Sequence, residues 1–107
     1  MLPRVKKVAE EYKQSLKALY GNELVELILF GSYARGDYHN ESDLDFAIVF
    51  NNSNTRPSSE ILKISPISSR LSLKHGIMIS SLPVSRDKKD NSMQGVYQEI
   101  RREGIRI

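Results

Sequence analysis

The stretch LILFGSYARGDYHNESDLDFAIVF, residues 27–50, holds two apolar runs separated by a polar segment that begins with a glycine–serine pair. Two aspartates, Asp43 and Asp45, stand where the second run begins. Short apolar runs rich in Ile, Val and Phe are typical of β-strands. We therefore predict strands over residues 24–30 and 43–50. The five consecutive apolar residues after the second aspartate indicate a central strand that is covered on both faces.

The polar segment between these strands predicts a short helical turn. Gly31 interrupts the first strand, and Ser32 is a residue type that caps helices at their N-terminus. The turn is expected to run through Arg35 and to stop at Gly36.

The rest of the chain predicts helices and one further strand. Apolar residues recur at steps of three and four over residues 4–19, which indicates an amphipathic helix. A similar stripe over residues 58–74 predicts a second long helix, which Pro66 should kink or split in two. A third strand is predicted over residues 77–84, then a polar loop over 85–92.

A last helix near residues 93–102, with Gly104 as its cap, completes the predicted order αβαβαβα. This order predicts an α/β (α+β) fold, in which a small mixed sheet is flanked by helices. With 107 residues and 12.2 kDa, the chain is expected to form one domain over 1–107.

The composition excludes several classes of protein. Hydrophobic residues make up 39% and charged residues 27%, which is typical of a globular protein without membrane spans. The first residues contain no uninterrupted apolar region, so no signal peptide is expected. The chain has no cysteine, which excludes disulfides and thiolate metal sites and agrees with a cytoplasmic location.

The charge of the chain is unevenly distributed. Residues 1–50 carry six Lys and Arg against eight Asp and Glu, whereas residues 51–107 carry ten against five. The basic half is either an ordinary solvated surface or a surface for an anionic partner. Nucleic acid is not expected as the partner, because no pattern of alternating basic and aromatic residues accompanies the charge.

The two aspartates decide the candidate site. Side chains at positions i and i+2 of a strand emerge on the same face, so Asp43 and Asp45 are expected to point together. One interpretation places both at a solvent-exposed strand start. The other is a metal site, because Mg²⁺ prefers hard oxygen ligands and commonly takes one or two protein carboxylates together with substrate phosphates.

The preceding turn offers groups that bind phosphate. Gly31 permits close approach of the backbone, Ser32 offers a hydroxyl, and Arg35 is placed to pair with phosphate oxygens. No G-K-[ST] follows, so the segment is not a Walker A loop. On the second interpretation, the candidate site consists of metal-binding Asp43 and Asp45 and of phosphate-binding Gly31, Ser32 and Arg35.

These residues carry a resemblance to a known family. Gly31-Ser32, ten further residues and then Asp43-x-Asp45 match the G-S-x10-D-x-D signature of the minimal nucleotidyltransferases of the DNA polymerase β superfamily. Within it the string G-S-Y-A-R-G-D…S-D-L-D is similar in detail, and so is the ending IRREGI. The resemblance extends through the order of elements over essentially the whole chain, and it implies a polymerase-β-like nucleotidyltransferase core.

The resemblance implies an activity and its cofactors. The substrate would be ATP and the cofactor Mg²⁺. Asp43 and Asp45 would be the catalytic residues and would hold a pair of Mg²⁺ ions, and the nucleotide-binding residues would be Gly31 and Ser32, on the triphosphate, together with Arg35. An acceptor hydroxyl would attack the α-phosphate in line, and pyrophosphate would leave.

One residue of the family pattern is missing. Family members carry a third carboxylate on a later strand, which completes the metal site and helps to deprotonate the acceptor. The corresponding strand here contains no acid, and either Ser80 or Ser81 occupies the expected place. A serine is a poor base at neutral pH, so slow turnover is expected.

The resemblance also implies a partner. The usual partner in this family is a small helical HEPN-domain protein, with which the nucleotidyltransferase forms a toxin–antitoxin module as the antitoxin. Some members neutralise the toxin by transferring AMP to a tyrosine. A homo-oligomer could build the acceptor site instead. The alternative function is a catalytically weakened nucleotide-binding module that neutralises or regulates a partner by binding.

Overall fold

The computed structural model describes residues 1–107 and contains five α-helices and four β-strands. The helices are α1 (Pro3–Tyr20), α2 (Ser32–Arg35), α3 (Pro57–His75), α4 (Arg86–Asn91) and α5 (Gly95–Glu103). The strands are β1 (Leu24–Phe30), β2 (Leu44–Phe50), β3 (Ile79–Ser85) and β4 (Ile105–Arg106), and a 3-10 turn at Gly21–Glu23 joins α1 to β1. None of the helices combines the length and the apolar character that crossing a bilayer requires.

The four strands form one mixed sheet in the order β3-β2-β1-β4. β1 pairs antiparallel with both β2 and β4, and β2 pairs parallel with β3. The parallel pair needs a crossover, which α3 supplies. The expectation of a small mixed sheet flanked by helices is confirmed, and β2 is one of its two central strands.

One face of the sheet packs against α1 and α3. The alternating residues Leu44, Phe46 and Ile48 of β2 point to this face and are fully buried. The stripe predicted for α1 meets them, because its buried residues are those that recur at helical spacing: Val5, Val8, Ala9, Tyr12 and Leu16. This is the larger of two apolar clusters, with 15 buried residues.

The other face of the sheet packs against α5. Ala47 and Val49 of β2 point to it and are covered by Tyr97 and Ile100 of the helix. Asp45 is two residues before Ala47 on the same strand, so its side chain lies on this second face as well.

The polar stretch 85–92, predicted as a loop, is largely the helix α4. The Ser85 side chain accepts a hydrogen bond from the backbone N–H of Lys88 at 3.2 Å, which caps the helix. One turn on, Asn91 Nδ2 donates to Asp87 Oδ1 at 2.9 Å. The prediction was wrong because capping by a serine at a strand end outweighed the polar composition.

Pro66 does not split the second long helix, which runs unbroken from Pro57 to His75 as α3. A proline removes the hydrogen bond to the carbonyl four residues earlier, here that of Leu62. Both Pro66 and Leu62 lie on the exposed side of the helix, where water can solvate that carbonyl. The prediction of a split was wrong for this reason.

The short strand β4 follows Gly104, which ends α5 as predicted. Gly104 has an ordinary φ of −65°, so the glycine is required for space and not for a left-handed turn. A Cβ at this position would overlap the side chain of Ile28 on β1 and the carbonyl of Ile100. The close contact allows Ile105 and Arg106 to pair with β1.

Candidate functional site

The site is built at the end of β1, where the chain turns into α2. Gly31 has a φ of 77°, a backbone conformation that L side chains rarely adopt. This turn lets the Gly31 carbonyl accept from the backbone N–H groups of Ala34 and Arg35, at 3.1 and 3.0 Å. Gly36, with a φ of 89°, ends the helix. The predicted helical turn from Ser32 through Arg35 is confirmed. The prediction that Ser32 caps it was wrong, because Gly31 holds the cap position and Ser32, already inside the helix, makes no capping hydrogen bond.

The two aspartates reach the same place from the start of β2. Asp43 is exposed and immediately precedes the strand, while Asp45 lies in it and is half-buried. Just before them, the loop is closed because Ser42 Oγ accepts from the backbone N–H of His39 at 2.9 Å. This closure directs the chain into β2, where Asp45 pairs with Phe30, the last residue of β1.

Asp45 lies directly over Gly31. A Cβ added to Gly31 would overlap the Asp45 carboxylate, with Asp45 Cγ at 3.2 Å and Cβ at 3.3 Å. The glycine of the sequence motif therefore provides the space that the aspartate of the same motif occupies. Of the five predicted site residues, the structure brings Gly31 and Asp45 into contact. Ser32 and Arg35 lie in the helix α2 that follows Gly31, and Asp43 is two residues before Asp45.

The electrostatic setting of Asp45 is unfavourable for its own charge. Burial raises the pKa of Asp45 above its ordinary value of 3.8, and the charges of Asp43 and Glu99 raise it further. The positive charge of Arg35 opposes them. The chain thus places more negative than positive charge around this carboxyl group, which a bound cation would offset.

The third strand of the site presents a serine. Ser80 pairs with Asp45 across the parallel ladder and is exposed, so it shares a sheet face with that aspartate. Ser81 belongs to the opposite face, where it forms a 2.5 Å hydrogen bond with the Tyr12 hydroxyl. Burial raises the pKa of that tyrosine to about 12. Ser80 is therefore the position beside the aspartates.

Arg35 is surrounded by carboxylates. Its Nε donates to Asp37 Oδ2 at 3.2 Å, and this hydrogen bond raises the pKa of the guanidinium. Its Nη1 donates to Glu99 and lies 3.6 Å from Glu103 Oε2. These two glutamates were not among the residues predicted from the sequence, because they are more than sixty residues away along the chain and carry no motif.

Tyr33, between Ser32 and Arg35, packs beneath the turn. It contacts the apolar cluster under α1, and its ring stacks on that of Tyr38 with centroids 4.4 Å apart and planes 7° from parallel. This packing fixes α2 against the body of the protein.

The donor set at Asp43 and Asp45 fits Mg²⁺. Asp45 lies in β2 and Asp43 immediately precedes it. Both offer carboxylate oxygens, and Mg²⁺ commonly binds one or two such groups together with water and substrate oxygens. No group of three or more His, Asp or Glu side chains is arranged to hold a metal ion. An ion held by these two carboxylates would complete its shell with water or with substrate oxygens.

The sequence of the chain matches the nucleotidyltransferase domain family over residues 9–104. The match includes the turn at Gly31, both aspartates and all of α5. The chain belongs to the nucleotidyltransferase family.

Curated relatives of this nucleotidyltransferase come from Methanocaldococcus jannaschii. The protein named "Putative protein adenylyltransferase MJ0141" is 41% identical over 75 residues, which are 70% of this chain and 74% of that protein. A second, "Putative protein adenylyltransferase MJ0604", is 35% identical over 81 residues, covering 76% of this chain and 74% of its own length.

Solved structures share the fold of the nucleotidyltransferase. A nucleotidyltransferase structure from Sulfolobus solfataricus matches with a TM-score of 0.67 and 24% identity, covering 96% of this chain and 78% of that one. A chain of a toxin–antitoxin structure with AMP-PNP matches with a TM-score of 0.61 and 18% identity, over 91% and 70%. At these identities the likeness concerns the fold.

The contact between Gly31 and Asp45 leads to a prediction with an internal control. Gly31→Ala should weaken Mg²⁺-dependent ATP binding at least about tenfold, because the new methyl group must displace the Asp45 carboxylate. Gly36→Ala, in the left-handed region, imposes a backbone penalty of about 1 kcal/mol. This penalty is smaller than the one at Gly31, whose φ of 77° and ψ of −156° are essentially restricted to glycine, and the Cβ at Gly36 meets nothing within 4 Å. Calorimetric titration of both variants checks this. Equal losses of affinity would show that backbone strain, and not displacement of Asp45, is responsible.

Proposed function

We propose that this nucleotidyltransferase is Mg²⁺-dependent and transfers AMP from ATP to a hydroxyl group. The observation that carries the proposal is the contact of Asp45 with Gly31. It joins the carboxylates suited to a metal ion and the turn suited to phosphates into one small site.

Each of the five candidate site residues has a role in the proposed reaction. Asp43 and Asp45 would hold the metal, and Gly31 would let the triphosphate approach the backbone. Ser32 would donate its hydroxyl to a phosphate oxygen, and Arg35 would pair with phosphate through its guanidinium. Bound Mg²⁺ would supply neutralisation of phosphate charge. The chain itself would contribute chiefly positioning of the α-phosphate against the acceptor hydroxyl.

The proposed acceptor belongs to a partner protein. We propose that the chain acts as an antitoxin and that its partner is a helical HEPN-type toxin carrying the acceptor tyrosine. Support comes from the fold shared with a chain of a toxin–antitoxin structure and from relatives named as protein adenylyltransferases. A complex of this kind is expected to be cytoplasmic.

Ser80 favours a second candidate function. It occupies the strand position beside Asp45 where an acid would assist deprotonation of the acceptor. A chain without that acid can still bind nucleotide, so the alternative is a nucleotide-binding module that regulates its partner by binding alone.

Transfer of label distinguishes the two functions. The chain is incubated with Mg²⁺ and ATP labelled at the α-phosphate, with and without the protein encoded beside it. We expect label on the partner, slow or no turnover by the isolated chain, and no transfer from ATP labelled at the γ-phosphate. A partner that binds tightly but acquires no α-label would refute AMP transfer and favour the binding module.

A further inference from the structure

The guanidinium of Arg35 is held on two of its three nitrogens. Nε is bound to Asp37, and Nη1 is bound to Glu99 and lies near Glu103. Nη2 makes no hydrogen bond or ion pair within the protein. One amino group with two N–H donors is therefore left available while the rest of the guanidinium is fixed.

The two glutamates form an arrangement that costs free energy without Arg35. They stand four residues apart on α5, a spacing at which like charges face each other and repel. Their side chains are only 28% and 27% exposed. One oxygen of Glu103, Oε2, is buried and has no hydrogen-bond partner. Arg35 offsets this repulsion, because its Nη1 binds Glu99 and lies 3.6 Å from Glu103 Oε2.

The helix that carries these acids is firmly anchored. Tyr97 and Ile100 are buried against the sheet, and Gly104 packs so closely on Ile28 that a methyl group would not fit. Glu99 and Glu103 are thus presented from a rigid element, which is the condition for holding another side chain in place.

We propose that Glu99 and Glu103 are positioning residues that, together with Asp37, hold Arg35 so that Nη2 faces the phosphates of the bound nucleotide. The inference rests on the proposed function, since it assigns supporting residues to the same site. A free arginine loses rotamer freedom when it binds a ligand, and an arginine already fixed by carboxylates loses less. The three acids would then increase affinity for an anion in spite of their own charge.

The sign of the effect distinguishes this role from simple electrostatics. Removing a carboxylate near a polyanion should, by charge alone, tighten its binding. Removing a positioning carboxylate should weaken it. The two explanations therefore predict opposite changes in the dissociation constant.

The experiment is a double-mutant cycle measured by calorimetry. Glu103→Gln and Glu99→Gln are each combined with Arg35→Ala, and the ligands are Mg²⁺-ATP and Mg²⁺ with inorganic tripolyphosphate. We expect each glutamine variant to weaken both ligands about tenfold, the order seen when an outer-shell partner is removed. In the Arg35→Ala background the same change should no longer weaken binding, and by charge alone it should tighten it slightly. Asp87→Asn, which removes an exposed acid from α4, should leave both affinities unchanged.

Three results would overturn the proposal: unchanged binding, tighter binding, or an equal loss in the Arg35→Ala background. Thermal midpoints identify a variant that fails to fold, and the two glutamates then serve as independent tests of each other. If the unaltered chain binds neither ligand, the proposed nucleotide site itself is refuted, and the positioning role is refuted with it.

Discussion

Replacing Asp43 and Asp45 together by asparagine is expected to abolish Mg²⁺-dependent ATP binding, with a loss of affinity of at least about 100-fold. Removal of residues that merely support metal ligands costs about 10- to 100-fold, so removal of the ligands should cost no less. Calorimetry with ATP in the presence of Mg²⁺ or EDTA measures the loss. Asp87→Asn/Asp90→Asn, which removes two acids from α4, is the matched control for net charge. Tight binding by the Asp43/Asp45 variant would refute the site.

The same substitution should not destabilise the fold. Because the pKa of Asp45 is raised, chiefly by burial, the folded chain holds its proton more tightly than the unfolded chain does. The contribution of Asp45 to the free energy of unfolding is therefore fully present below the ordinary pKa of aspartate. It is lost as the pH rises through the raised pKa of the folded state. Ionised Asp45 at neutral pH therefore opposes folding, and Asp45→Asn should leave the thermal midpoint equal or higher.

Ser80→Asp should increase AMP transfer by at least about tenfold, since a positioned general base contributes about 10²- to 10⁴-fold. The new carboxylate would lie on the face of Asp45, with which Ser80 pairs. It would also add negative charge to a site that already has an excess. The thermal midpoint of this variant is therefore expected to fall in EDTA and to recover in Mg²⁺.

Ser81→Asp is the control one residue along the strand. Its side chain points to the opposite face, against the buried Tyr12. An uncompensated charge there should lower stability by several kcal/mol without increasing transfer. Similar gains in transfer from both variants would show that the new carboxylate does not need to share a sheet face with Asp45.

Local sequence patterns predicted the helix and strands that form the site. The features that the sequence did not predict depend on contacts between residues far apart in the chain. The turn from Ser32 to Arg35 followed from the glycines at its two ends, although the predicted serine cap did not form. The burial of β2 followed from its continuous apolar run. The strand β4 has two residues, too few for any periodicity to show. The contacts of Arg35 with Glu99 and Glu103 depend on how α5 packs across the sheet, which no spacing in the sequence encodes.

The position of β2 in the sheet affects the order in which the site can assemble during folding. Its antiparallel pairing with β1 closes only residues 31–43, whereas its parallel pairing with β3 must close residues 51–78, including α3. Closure of the shorter loop costs less chain entropy, so the hairpin can form first. Gly31 and Asp45 would then meet within a local unit, before the strand carrying Ser80 is added. The part of the site that carries the sequence motif can thus form early in folding. Ser80, which departs from the family pattern, lies on the strand that is added later.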